Sequence, residues 1–159
     1  MVTAQPYKRV LVQAEDFDLA MEMQQLRRHC PQAGAVVSFD GLVREFAKGQ
    51  VLQRMHIEHY PGMTEKALLA IVEQALHRWP LLGVTLIHRY GDLEARAQIV
   101  MVATASLHRQ AAFDACAFMM DFLKTEAPFW KKEIGALGAR WVEAREADEQ
   151  AKQQWSLPE

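Results

Sequence analysis

Cysteine is scarce in this chain: only Cys30 and Cys116 occur among 159 residues, far apart and in no Cys-x-x-Cys pair. A disulfide framework and a thiolate metal centre are therefore excluded. There is no Gly-x-Gly-x-x-Gly, no Walker loop and no Gly-x-Ser-x-Gly, which removes the commonest nucleotide-binding and hydrolase signatures. His56-Ile57-Glu58 is half of a zinc-deaminase signature, but the Pro-Cys-x-x-Cys half is missing. His56 and His59 also differ in strand parity, so they do not easily share a metal. No apolar run reaches the ~18 residues that a membrane span needs, and the first residues lack the apolar segment of a signal peptide. Excess charge of either sign is lacking too: 18 basic against 20 acidic groups leave −2, with no long basic run. Bulk attraction to nucleic acid or to an anionic membrane is thus unsupported. The expectation is a soluble, cytoplasmic protein with no metal, no nucleic-acid partner and no membrane partner.

What is present is globular. An apolar fraction of 50% and a charged fraction of 24% sit at ordinary averages, and the length fits one domain over residues 1–159. A polar tail begins at about 146, carrying four acids and one lysine, so the rest of the chain has one more basic than acidic group. Elements of both kinds alternate. Strands are expected at 8–13, at 35–39 as a buried run ended by the Asp40-Gly41 turn signal, at 55–60, at 84–90, at 98–105 and at 140–145. A helix over 18–29 has Asp16 or Asp18 as its cap, and a second carries the stripe Leu68, Ile71, Val72, Ala75, Leu76 and Trp79, closed by Pro80. Residues 44–50 read as a charged, mobile loop.

Ser106 is expected to cap a long central helix that Pro128 stops. On it Phe113, Cys116, Ala117, Met120 and Leu123 share one face, Phe118 and Phe122 lie opposite, and Asp114 and Asp121 form a narrow polar strip. Lys124 falls on the apolar face at the helix end. Partial desolvation there would lower its pKa and suit it to proton transfer, although geometry alone favours a stem lying on the core with its charge reaching water. At the other end His108 and Arg109 oppose the helix dipole. They either cradle an anion with the free N–H groups or, equally, pair with a nearby acid. Cys116 packs inertly on the apolar face. Phe129-Trp130-Lys131-Lys132-Glu133 reads as a solvated basic edge anchored by Trp130 rather than as a base-stacking patch.

Four blocks go further: Glu58-His59-Tyr60-Pro61-Gly62-Met63-Thr64-Glu65-Lys66-Ala67, His88-Arg89-Tyr90-Gly91-Asp92-Leu93, Met120-Asp121-Phe122-Leu123-Lys124-Thr125 running through Ala127-Pro128-Phe129-Trp130-Lys131, and Arg140-Trp141-Val142-Glu143-Ala144-Arg145. Together they resemble the catalytic (large) subunit of molybdopterin synthase, over about 33–155. The resemblance implies an α/β hammerhead fold with mixed and antiparallel sheets and a long central helix, in a homodimer. It also implies a small ubiquitin-like partner at each end, which brings sulfur as a C-terminal thiocarboxylate, in a heterotetramer overall. Two sulfurs would pass to cyclic pyranopterin monophosphate to form the dithiolene of molybdopterin, with no cofactor of the enzyme's own. This chain ends Leu157-Pro158-Glu159 and so resembles the acceptor, not the carrier.

Carried over by motif, Lys124 in Phe-Leu-Lys and Lys131 in Phe-Trp-Lys are the catalytic lysines, while His108, Arg109 and Arg44 hold phosphate and pterin. Val43, Lys132 and Glu133 border the substrate. Gly41-Leu42-Val43-Arg44 departs from the family's frequent Gly-Lys-Val-Arg, which removes a charge contact at Leu42. One consequence is geometric: Arg109 and Lys124 lie roughly 22 Å apart along one helix, too far to grip one small ligand from the same chain. If both serve one pocket, two chains share it. Two rival classes are a non-catalytic module docking an acidic or Gly-Gly tail, and a single-strand nucleic-acid binder built on Trp130 and the lysines.

Overall fold

The computed structural model describes residues 4–143 and 146–156. Its strands are β1 (Tyr7–Gln13), β2 (Ala35–Leu42), β3 (Phe46–Ala47), β4 (Gln50–His59), β5 (Leu81–Arg89), β6 (Gly91–Glu94), β7 (Gln98–Ser106), β8 (Phe129–Gly135) and β9 (Gly138–Trp141). The helices are α1 (Leu19–His29), α2 (Met63–Arg78), α3 (Arg109–Glu126) and α4 (Glu146–Gln153). The first sheet has the order β1-β5-β7-β2 and is mixed, because β1 runs parallel to β5 while the other neighbours are antiparallel. The second, β3-β4-β8-β9 with β6 also on β4, is antiparallel throughout. The mixed sheet, the antiparallel sheet and the long helix of the expected fold are all present.

The first sheet is covered on both faces, and this explains the near-continuous apolar runs of β5 and β7. Ile87, Met101, Ala103 and Ala105 pack with Leu26 of α1 and with Cys30, the C-cap that follows it. Leu86, Val100 and Val102 alternate to the other side and join Leu68, Ile71 and Val72 of α2 and Ala115, Phe118 and Met119 of α3. Asp18 caps α1 by accepting from the Met21 N–H at 3.0 Å. At α2 the Gly62 N–H donates to Glu65 at 2.6 Å, in a turn that Gly62 makes at φ +87°.

Several expectations are corrected. β2 runs on through Asp40-Gly41 because those residues pair with Met101 and Val100, and the strand is only half-buried along the sheet edge. Residues 44–50 are no open loop: Lys48 and Gly49, both at positive φ, make a hairpin turn between β3 and β4. Ser106 ends β7, and its hydroxyl donates to the His108 carbonyl; the N-cap of α3 is His108 itself, without a side-chain cap. The Gly91-Asp92 connection contains β6, and the basic edge after Pro128 is β8. The last strand ends at Trp141, and residues 144–145 lie outside the described residues.

The predicted apolar face of α3 is also split. Cys116 and Leu123 are buried, but Phe113 is 57% exposed and Ala117 is exposed, since the helix turns Ala112, Ala115, Phe118 and Met119 inward instead. The polar tail folds as α4 against this helix. Asp121 accepts from the Trp155 indole N–H at 2.6 Å and from Gln154 at 2.9 Å, and the Trp155 ring stands edge-on to Trp79 and Phe118.

Candidate active site

β8 organises the site by its period of two. Phe129, Lys131 and Glu133 face inward, opposite His59, Ile57 and Met55 of β4, while Trp130 and Lys132 face out. Phe129 lies flat on the buried His88 ring of β5, with centroids 3.6 Å apart and planes 13° from parallel. Beside this stack opens a cavity of about 570 Å³ whose wall includes Leu42, Arg44, His88, Lys124, Lys131 and Glu133. Three elements thus bring three cations together: Arg44 follows β2, Lys124 closes α3, and Lys131 stands on β8.

The remaining expected residues lie elsewhere. Val43 is in the core, 1% exposed, with its N–H donated to Ala97 and its carbonyl accepting from Arg96 at 2.8 Å; it pins the backbone between Leu42 and Arg44. Lys132 sits on the outer face with its ammonium 5.5 Å from the Trp141 ring centre. His108 and Arg109 are at the opposite end of α3 and do not line this cavity.

The two lysines differ in surroundings. Lys124 is exposed at the rim, as the favoured reading of its place on the helix has it, and the desolvated lysine is Lys131. That ammonium is enclosed by protein on most sides, although its side chain keeps some open surface. Burial pushes its pKa down to about 8, Lys124 pushes the same way, and Asp148 opposes. Burial likewise holds His88 neutral, with a pKa of about 3, and Lys131 adds to the effect. The His88 Nδ1–H donates to the Arg89 carbonyl at 2.7 Å, which fixes the tautomer. Asp40, on the cavity wall, has its carboxyl pKa raised by burial and by Asp16.

His88 therefore makes the fold acid-sensitive. Its folded pKa lies below its unfolded value of 6.5, so the unfolded chain binds the extra proton between the two. Stability is complete above 6.5 and is lost as pH falls toward about 3, at roughly 1.4 kcal/mol per pH unit. Urea unfolding from pH 7 to pH 4 should show this slope, and His88→Phe should flatten it; an unchanged slope in the variant would refute the assignment.

Sequence reasoning missed His88 on the cavity wall and Arg140, which pairs with Glu133 from outside that wall at 3.6 Å, although both stand in the quoted blocks. Neither follows from a local pattern, since His88 belongs to β5 and Arg140 meets Glu133 only through the β8–β9 register, but reading β8 as a strand sorts its own residues. Its parity separates Lys131 and Glu133 from Lys132, and its β9 neighbour sets Arg140 opposite Glu133.

Residues 12–126 match the family model described as MoaE protein. The chain belongs to the MoaE family. It is 55% identical to the molybdopterin synthase catalytic subunit of Ralstonia nicotianae over 93% of this chain and 84% of the relative, and 48% identical to that of Escherichia coli over 92% and 97%. Among solved structures, the molybdopterin biosynthesis MoaE protein of Burkholderia ambifaria superposes with a TM-score of 0.81 at 47% identity, covering 95% of this chain and 99% of that one. Molybdopterin synthase from Staphylococcus aureus gives 0.75 at 32% identity, over 83% and 95%.

Proposed function

We propose that this chain, as a single domain, is the catalytic subunit of a cytoplasmic molybdopterin synthase. It acts on cyclic pyranopterin monophosphate with sulfur carried on the C-terminal thiocarboxylate of a small ubiquitin-like subunit. The observation that carries this reading is the meeting of Lys124, Lys131 and Arg44 at one open cavity. The chain's own thiols do not compete as sulfur donors. Both are buried, and burial raises the Cys116 thiol to about 11 and the Cys30 thiol above its ordinary value. Sulfur thus comes from outside, while the cationic wall attracts the tail and the phosphate alike.

In this reading Lys124 serves as general acid or base, or as the charge that meets the developing negative charge when the thiocarboxylate attacks, and Lys131 is its neighbour on the cavity wall. Arg44, Leu42 and Glu133 border the substrate, and the buried Val43 holds the backbone between the first two. His108 and Arg109 reach it from a second copy, because α3 holds them roughly 22 Å from Lys124 in their own chain. The assembly is then a homodimer with a small subunit at each end. Among the described residues no helix is long and apolar enough to cross a membrane.

The test is Lys124→Ala. With thiocarboxylated partner and cyclic precursor, dithiolene formation should drop by at least about 10²-fold while the circular dichroism spectrum and partner binding stay as in the wild type. Normal turnover would remove Lys124 from the chemistry. A wild type that binds the partner tail but forms no dithiolene would instead mark a docking module.

A further inference from the structure

Glu133 is the most deeply buried charged side chain among the described residues, 1% exposed, and neither carboxylate oxygen accepts a hydrogen bond from any of them. Two guanidinium groups approach the same oxygen, Oε1: Arg44 at 3.7 Å and Arg140 at 3.6 Å. Both separations suit an ion pair and exceed a hydrogen bond. The cations therefore offset the buried charge without occupying the lone pairs, and among the described residues Oε2 has no cation as close. Arg140 is held by the backbone itself, directly across the β8–β9 ladder from Glu133. Its Nε is buried and unpartnered. Behind this pair lies a second hollow lined by Arg44, Lys48 and Arg140, and Glu133 belongs to both hollows.

A buried carboxylate with free lone pairs on a cavity wall is half of a hydrogen-bonded fork. Its complement is a pair of adjacent N–H donors in one plane, which the 2-amino-4-oxopyrimidine edge of a pterin presents. We infer that Arg140 is a positioning residue that keeps the Glu133 carboxylate turned to the cavity as acceptor for that amino-pyrimidinone edge, a role that rests on the pterin reading above. Arg44 lines both hollows and stands with the lysines at the first, whereas Arg140 lines only the second. Arg140 acts only through Glu133.

The test titrates two fluorescent probes into the full chain: pterin, and lumazine, in which a carbonyl replaces the 2-amino group. Glu133→Gln should weaken pterin binding about tenfold, the effect of losing a charge-assisted hydrogen bond. Arg140→Met should weaken it about fivefold, with most of the loss restored in Arg140→Lys; the double variant Glu133→Gln/Arg140→Met should bind no more weakly than Glu133→Gln alone. Lumazine, whose 2-carbonyl faces the carboxylate lone pairs, should lose no affinity across the set. The double variant leaves no unpaired buried charge, so it keeps the test valid if Arg140→Met alone does not fold. Losses that multiply in the double variant, equal losses for lumazine, an unaffected Arg140→Met, or no saturable pterin binding by the wild type would each overturn the inference. Dithiolene formation by a wild type whose pterin binding ignores Glu133 sinks this inference and leaves the proposed activity standing. The expected binding pattern without dithiolene formation does the reverse.

Discussion

Lys131→Met is expected to abolish dithiolene formation and, at neutral pH, to raise the melting temperature. Both follow from one feature: an ammonium enclosed beside Lys124, whose pKa burial lowers to about 8 from an ordinary 10.5. A group with a lowered basic pKa weighs against folding wherever it must carry its proton. Below about 8 the cost is complete; it fades as pH climbs toward 10.5, where the lysine of the unfolded chain is neutral too. Methionine fills similar volume without the charge, so the variant should gain up to roughly 3 kcal/mol at pH 7 and almost nothing near pH 10.5.

The catalytic loss is expected to be at least about 10³-fold, since an enclosed cation acts on developing charge through a weakly screening medium. In the wild type, kcat/KM should fall as pH rises through about 8, where the Lys131 ammonium is lost. Thermal melts at pH 7 and pH 10 beside single-turnover rates check the pair of effects. A variant less stable by the same margin at both pH values would contradict the desolvation account, and retained turnover would contradict the chemistry.

This residue also shows where the sequence was legible. The stripe from Leu68 to Ala75 and the apolar runs of β5 and β7 announced their elements, because burial on one or two faces writes a period directly into the side chains. Lys124 and Lys131 were legible through their motifs. Which lysine is desolvated was not: the helix projection left Lys124 with its charge reaching water, as found, but the enclosed position belongs to a strand that two aromatics and two adjacent lysines disguised as a surface edge. The Glu133–Arg140 pairing depends on the β8–β9 register, and no local pattern encodes a register. The tail was misread for a similar reason. Its helix is polar all round and is held by Trp155 and Lys152 reaching back to α3, contacts that composition does not reveal.

The central claim is that one site draws on two copies of the chain, with Lys124 and Lys131 from one and His108 and Arg109 from the other. Mixed dimers test it most directly. Lys131→Met chains and Arg109→Ala chains, each inactive alone, are unfolded together, refolded and assayed with the thiocarboxylated small subunit. A shared site leaves every mixed dimer with one cavity whose parts are all intact, so random pairing should restore about a quarter of wild-type dithiolene formation. A site built within one chain leaves each cavity of the mixed dimer with one defect, and activity that stays at the level of the separate variants would contradict the account.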